Sequence, residues 1–249
     1  MIVLKLGGSV ITEKDRAETL DGDALERAAD AIETALADDE DEDERLVIVH
    51  GGGSFGHHNA SEHGVTTTEG THEAGAVMDI HGAMGTLNRF VLGRLHERDL
   101  EAVPVHPLST ASRDDDGDLD LPTTQVRTLL GEGFVPVLHG DVIAHAGTGA
   151  TIVSGDELVV DLARQLGADR IGLCSTVPGV LDGNDEVIDE IVAFEDAADV
   201  LGESDATDVT GGMAAKVRAL LELEAEASIF GLEGLEPFLA GENPGTTIE

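Results

Sequence analysis

The chain has 249 residues, 41% of them hydrophobic, an ordinary fraction for a globular protein and enough for one large α/β domain or two closely fused lobes. Its formal net charge of −37, from 51 acidic against 14 basic side chains, leaves no basic surface to neutralise phosphates and so disfavours nucleic-acid binding. No apolar run approaches the roughly 20 residues of a membrane span, and the single Cys174 excludes an internal disulfide.

In chain order, residues 2–6 read as a short buried strand that ends in Gly7-Gly8-Ser9. Residues 21–36 place Leu25, Ala28, Ala29, Ile32 and Leu36 on one helical face, and the acidic run 38–44 reads as a solvated loop. Residues 46–49 form a second buried strand, followed by His50-Gly51-Gly52-Gly53-Ser54-Phe55-Gly56-His57. A long helical pattern covers 73–95. Strands are expected at 102–105, 134–138 and 142–144, with a protruding hairpin over 110–122 signalled by Asp114-Asp115-Asp116-Gly117. The second half repeats the alternation: a helix over 156–166, a strand over 170–174, a loop at 177–183 and an extended segment at 187–191. A helix over 212–226, a strand over 228–230 and a short helix over 235–240 complete it.

Strand–helix alternation with short, apolar, β-branched strands predicts an α/β fold, a three-layer αβα sandwich about a central, mainly parallel sheet. One domain over 1–249 is expected, with a soft boundary near 145–155 between an N-terminal lobe, 1–150, and a C-terminal lobe, 151–249. The short apolar start runs straight into a glycine-rich motif, which predicts a cytoplasmic protein. Apart from two short runs the acids are dispersed through periodic sequence. Such a surface repels itself in dilute buffer and is tolerated where salt screens it, so it reads as adapted to a salt-rich cytoplasm.

Against this acidic background the only lysines are Lys5, Lys14 and Lys216, and each lies in or beside a Gly-rich or Thr-rich motif. Lys5-Leu6-Gly7-Gly8-Ser9 would bring backbone close to an anion with a cation alongside, or is a simple turn. It has neither P-loop nor dinucleotide spacing. The four glycines within 51–56 expose successive N–H groups. If a helix starts just after them they make a phosphate cradle, and otherwise a flexible loop. His57 sits at the mouth of this cradle, and spacing does not choose between it and His58. Asp156, in Ser154-Gly155-Asp156-Glu157, is either an N-cap or an acid that orients two lysines. Thr210-Gly211-Gly212 opens a helix with Lys216 one turn inside, aimed back toward a phosphate at the helix start.

Taken in order, these motifs resemble the amino-acid-kinase family. The matching pieces are Lys-x-Gly-Gly-Ser at 5–9, His-Gly-Gly-Gly at 50–53, Gly-Asp at 155–156, Val-Pro-Gly-Val-Leu-Asp at 177–182 and Thr-Gly-Gly-Met-x-x-Lys at 210–216. Within it, Gly-Gly-Gly-Ser-Phe-Gly-His and the second lysine, Lys14, resemble the isopentenyl phosphate kinase branch, as does the ending Gly245-Thr246-Thr247-Ile248. The resemblance implies ATP as donor, Mg²⁺ bridging its phosphates with few direct protein ligands, and isopentenyl phosphate as acceptor, in an archaeal-type mevalonate route. It also implies a homodimer, an acceptor site over the N-terminal lobe and ATP over the C-terminal lobe.

By the same resemblance, Lys5 and Lys216 would serve the transferring phosphoryl group, Lys14 the terminal phosphate of ATP, and His57 the acceptor phosphate. Asp156 would orient the lysines. Gly7, Gly8, Gly52, Gly53 and Gly56 would supply amides, with Gly155 at the acceptor side. Ser9, Ser175, Thr176, Gly179, Asp182 and Gly212 would meet the nucleotide. Many relatives have Thr-Asp-Val where this chain has Ser175-Thr176-Val177. The hydrocarbon tail needs an apolar pocket, for which Val77, Ile80 and Met84 are candidates, although the same stripe could be core or a dimer face. The rival readings are another kinase of this family (phosphonate, UMP or amino-acid) and a non-catalytic nucleotide-binding sensor.

Overall fold

A computed structural model describes residues 1–37, 45–201 and 212–249. The acidic run 38–44, and Thr210 and Gly211 of the last motif, lie outside the described residues. The chain runs β1 (Ile2–Leu6), α1 (Gly8–Ile11), α2 (Gly22–Ala37), β2 (Leu46–His50), α3 (Gly53–His63), α4 (Ala74–His96) and β3 (Ala102–Pro104). It continues through α5 (Pro107–Thr110), β4 (Ser112–Arg113), β5 (Leu119–Asp120), α6 (Thr124–Gly131), β6 (Val135–His139), β7 (Asp141–His145) and β8 (Gly149–Val153). The remainder is α7 (Gly155–Leu166), β9 (Arg170–Ser175), β10 (Glu190–Ile191), α8 (Ala198–Leu201), α9 (Gly212–Leu221), β11 (Glu226–Gly231), α10 (Leu235–Leu239) and β12 (Thr246–Ile248).

An eight-stranded sheet has the order β10-β12-β11-β9-β1-β2-β6-β3 and is parallel at every pairing except β11 with β12. The central strands, Ile-Val-Leu-Lys-Leu and Leu-Val-Ile-Val-His, are buried along their whole length, as a parallel strand covered on both faces requires. Their side chains alternate between two cores. Ile2, Leu4, Leu6, Leu46 and Ile48 pack with α2, α4 and α10, whereas Val3, Val47 and Val49 pack with α6, α7 and α9. These are the three expected layers. The same alternation puts Lys5 on the face of Val3, under α7.

Several elements escape the sequence pattern. A second, smaller sheet has the order β5-β4-β7-β8. Of its strands only the 110–122 hairpin and β7 were anticipated, and α6 and β12 were not. The helix expected over 212–226 stops at Leu221, because Glu226 already opens β11. Pro104 closes β3 on the sheet's outer edge, where no neighbour needs the missing N–H. Residues 145–155 fall within the β7–β8 hairpin and the start of α7, and the large sheet runs through strands of both halves without a break. No helix among the described residues is long and apolar enough to cross a membrane.

Candidate active site

A cleft of about 340 Å³ opens at the carboxyl ends of the central strands. This is where open parallel sheets place their ligands. Gly7 follows β1, Gly51 follows β2, Gly140 follows β6, and Cys174 and Ser175 end β9; all of them line it. The sheet ladder holds these loops in register. Gly7 N–H donates to Cys174 O at 2.9 Å, Gly51 N–H to Leu6 O at 2.9 Å and Gly140 N–H to His50 O at 3.0 Å.

The two glycine-rich loops lie backbone against backbone. A Cβ on Gly8 would overlap the amide nitrogen of Gly53, and Gly53 itself has φ 48°, which favours glycine. The second loop passes directly into α3, whose first turn is Gly53 to Gly56. The condition for a phosphate cradle, a helix starting at the loop, is therefore met. Thr12 fastens the contact: its hydroxyl donates to Gly8 O at 2.8 Å and accepts from Ser54 N–H at 3.0 Å.

Three charged side chains converge from separate elements. Lys5 leaves β1 toward the start of α7, where Asp156 Oδ1 lies 2.7 Å from its Nζ. Lys216, one turn into α9, brings its Nζ to 3.9 Å from Asp156 Oδ2. The three side chains are 11%, 18% and 21% exposed for Lys5, Asp156 and Lys216, so the group is mostly withdrawn from solvent yet open to the cleft. Asp156 is free for this because it is not the helix cap. Ser154 is: its Oγ accepts from Glu157 N–H at 3.1 Å, while Glu157 Oε2 accepts from Ser154 N–H at 2.8 Å. Asp156 sits one residue inside α7, where the positive end of the helix favours a carboxylate. The N-cap alternative is thereby excluded.

The remaining predicted residues divide. Ser9, Lys14, Gly52, Gly56, His57 and Gly155 all line the cleft. Ser175, Thr176 and Met213 also border it. His57 faces the cleft and His58 does not; His58 Nε2 instead lies 4.0 Å from Glu62, one turn along α3. The apolar end is formed by Ala60, Val65, Ile80, Met84 and Ile152.

Five predicted residues do not line it. Val77 packs into a small separate core around Val65 and Val142. Gly53 is taken up by its contact with Gly8. Gly179 packs against Val187 and Thr246, which leave no room for a Cβ. The Asp182 carboxylate closes its own turn, accepting from Asn184 N–H at 2.7 Å and Glu186 N–H at 2.9 Å, and these bonds hold it below the usual carboxylate range. Gly212, with φ 64°, starts α9 and sets the position of Lys216 without reaching the cleft.

The structure adds residues the sequence did not flag. Thr66, Thr67 and Asp141 line the cleft. Asp141 anchors a group of histidines: His81 Nδ1 lies 2.9 Å from its Oδ2, and the rings of His106 and His139 meet edge-on beside it. The hydrogen bond to Asp141 raises His81, while burial lowers His50, His106 and His139. Burial pushes the Cys174 thiol up to about 12, so at the cleft wall it is a protonated packing group rather than a nucleophile.

Comparison with known proteins places this geometry. The amino acid kinase family profile matches residues 1–229. The isopentenyl phosphate kinase of Haloferax volcanii is 63% identical over 100% of this chain and 98% of its own length. That of Methanocaldococcus jannaschii is 32% identical over 100% of this chain and 98% of its own. A crystal structure of an isopentenyl phosphate kinase matches with a TM-score of 0.83 at 30% identity, covering 100% of both chains.

Proposed function

Because the chain belongs to the amino acid kinase family, we propose that it transfers the terminal phosphoryl group of ATP to isopentenyl phosphate, giving isopentenyl diphosphate and ADP for isoprenoid biosynthesis. The observation that carries this reading is the convergence of Lys5 and Lys216 on Asp156, in one cleft with His57 and the amides of α3. An acceptor that is already a phosphate monoester has a second pKa of about 6 and needs no general base near neutrality. The obstacle is to bring two polyanions together, which is a matter of position and fixed charge.

The chain's residues fit that task. Lys5 and Lys216 would stabilise the transferring phosphoryl group and the leaving oxygen, and Asp156 keeps both ammonium groups aimed. Lys14 reaches the donor's terminal phosphate. His57, on the first turns of α3, holds the acceptor phosphate with the Gly52 and Gly56 backbone. Its hydrocarbon tail points to Ala60, Val65, Ile80, Met84 and Ile152, whose apolar surface excludes water. The acceptor oxygen attacks the γ-phosphorus, the bond to the bridging oxygen breaks, and the electron pair leaves with ADP. Mg²⁺, when bound with the nucleotide, would supply charge neutralisation on its phosphates. The acceptor then lies over residues 1–150 and ATP over 151–249. A cytoplasmic homodimer completes the reading, and Met78 and Phe90 on α4 expose apolar surface for a partner copy.

The test is an acceptor panel of isopentenyl phosphate, UMP, N-acetylglutamate and fosfomycin with ATP and Mg²⁺. Turnover confined to isopentenyl phosphate supports the reading. Preference for another acceptor replaces the substrate, and ATP binding without any turnover replaces the enzyme by a sensor.

A further inference from the structure

Two buried histidines end neighbouring strands in matched register. His50 closes β2 and His139 closes β6, they are Cα partners in the parallel ladder, and their rings stack 5.3 Å apart on the α4 side of the sheet. Both are fully buried. Each is followed by a glycine that lines the cleft, and each ring reaches that glycine's carbonyl. His50 Nδ1 lies 3.1 Å from Gly51 O, and His139 Nδ1 lies 2.9 Å from Gly140 O. A carbonyl oxygen only accepts, so Nδ1 carries the proton in both rings.

The far nitrogen of His139 agrees with the assignment, and that of His50 agrees once the Asn88 amide is turned. With His139 neutral, its bare Nε2 accepts from His106 Nδ1–H at 2.9 Å. Burial pushes His50 down to about 3, so the ring is neutral; with its one proton on Nδ1, Nε2 has none to give to the Asn88 oxygen that stands 3.2 Å away. Turning the Asn88 amide over presents its NH₂ to that nitrogen. It also gives a partner to the Asn88 Nδ2, which is otherwise buried without one.

A trans peptide points its C=O and its N–H in opposite directions, and no described peptide bond is cis. Holding Gly51 O beside the His50 ring therefore turns the Gly52 N–H to the opposite side of that peptide, away from the ring, at a residue that lines the cleft. The Gly140 N–H donates to His50 O at 3.0 Å, which joins the two histidine–glycine units into one piece. We infer that His50 and His139 are positioning residues: their Nδ1–H groups clamp the Gly51 and Gly140 carbonyls beneath the cleft and so fix the backbone that receives the acceptor's phosphate. The inference deepens the kinase reading and rests on it for the identity of the bound group.

Two experiments on the intact protein decide it. The ¹⁵N imidazole signals of wild type, assigned by their loss in His50→Asn and His139→Asn, report the tautomers with no substrate present. Neutral, Nδ1-protonated rings at both positions are expected at pH 7, and a ring protonated on Nε2 at either position overturns the clamp. In kinetics, His50→Leu fills the space without a donor, whereas His50→Asn restores an N–H near the place of Nδ1. The leucine variant should raise the acceptor KM by about tenfold or more while the ATP KM stays within about twofold, with asparagine recovering most of the loss. Equal losses in the two variants, or a loss confined to melting temperature, reduce His50 to packing and overturn the proposal. Should wild type prefer another acceptor of the panel, the substrate reading fails and the clamp is scored on that acceptor. Without any turnover, or if the leucine variant does not fold, the tautomers alone decide.

Discussion

Asp156 divides its carboxylate between two lysines, with Oδ1 2.7 Å from Lys5 Nζ and Oδ2 3.9 Å from Lys216 Nζ. The lysines arrive from opposite ends of the sequence, one on β1 and one on α9, and meet only because strand alternation and the start of α7 bring them to one wall. The neutral isostere Asp156→Asn keeps the shape and removes the shared charge. Its kcat should fall about 10²- to 10³-fold, the range for losing one element of a preorganised charged site, with little change in melting temperature. Lys5→Ala and Lys216→Ala should fall at least as far. Near-wild-type kcat in both lysine variants ends the mechanism.

His57 and His58 are neighbours with different surroundings, so they form a matched pair for test. His57→Ala should raise the KM for the acceptor by about tenfold and lower turnover, as expected for losing a charge-assisted hydrogen bond to phosphate. His58→Ala should change neither, since His58 points along α3 toward Glu62. Steady-state kinetics with isopentenyl phosphate read both, and unchanged kinetics in His57→Ala remove that residue from the site.

His50 and His81 give stability pH dependences of opposite sign. The folded state holds His50 down at about 3, against 6.5 ordinarily. A ring so depressed takes up its proton on unfolding, so acid below about pH 6.5 favours the unfolded chain and stability is lost as pH falls. His81, raised by Asp141, has the opposite sign: its contribution is full below its unfolded value and is lost as pH climbs through its folded one. His50→Asn removes only the first effect. The melting-temperature advantage of wild type over His50→Asn should therefore shrink between pH 7 and pH 5. A growing advantage on acidification contradicts a neutral His50.

A net charge of −37 on 249 residues makes the folded state repel itself. Screening lengths fall from about 10 Å at 0.1 M salt to about 3 Å at 1 M, so concentrated KCl should raise the melting temperature by relieving that repulsion. Thermal melts across this range check it. An undiminished melting temperature and full activity in dilute buffer count against a salt requirement.

The central strands were legible because each is a short β-branched run bounded by glycine, and burial on both faces leaves such runs no polar alternation. The convergence of Lys5, Asp156 and Lys216 was foreshadowed by lysine scarcity, a signal that exists only because the rest of the surface has discarded lysine. The small sheet was harder to read. Strand β8, Gly149 to Val153, opens on glycine and alanine, which favour strands poorly, and so lacks the β-branched, apolar run that marks the central strands. Asp182 read as a nucleotide contact by family pattern, yet its carboxylate is spent on its own turn. His50 and His139 lie 89 positions apart and look like ordinary strand ends; only the β2–β6 register reveals that they are one unit.

The touching backbones of Gly8 and Gly53 bear on how this enzyme could be remodelled. With no atom's width to spare between them, the two glycine-rich loops form one jaw, and neither can be widened without dislodging the other. On the proposed reading, room for a bulkier acceptor would have to be carved from the greasy part of the chamber, where Ile80, Met84 and Ile152 present side chains that can be trimmed one at a time.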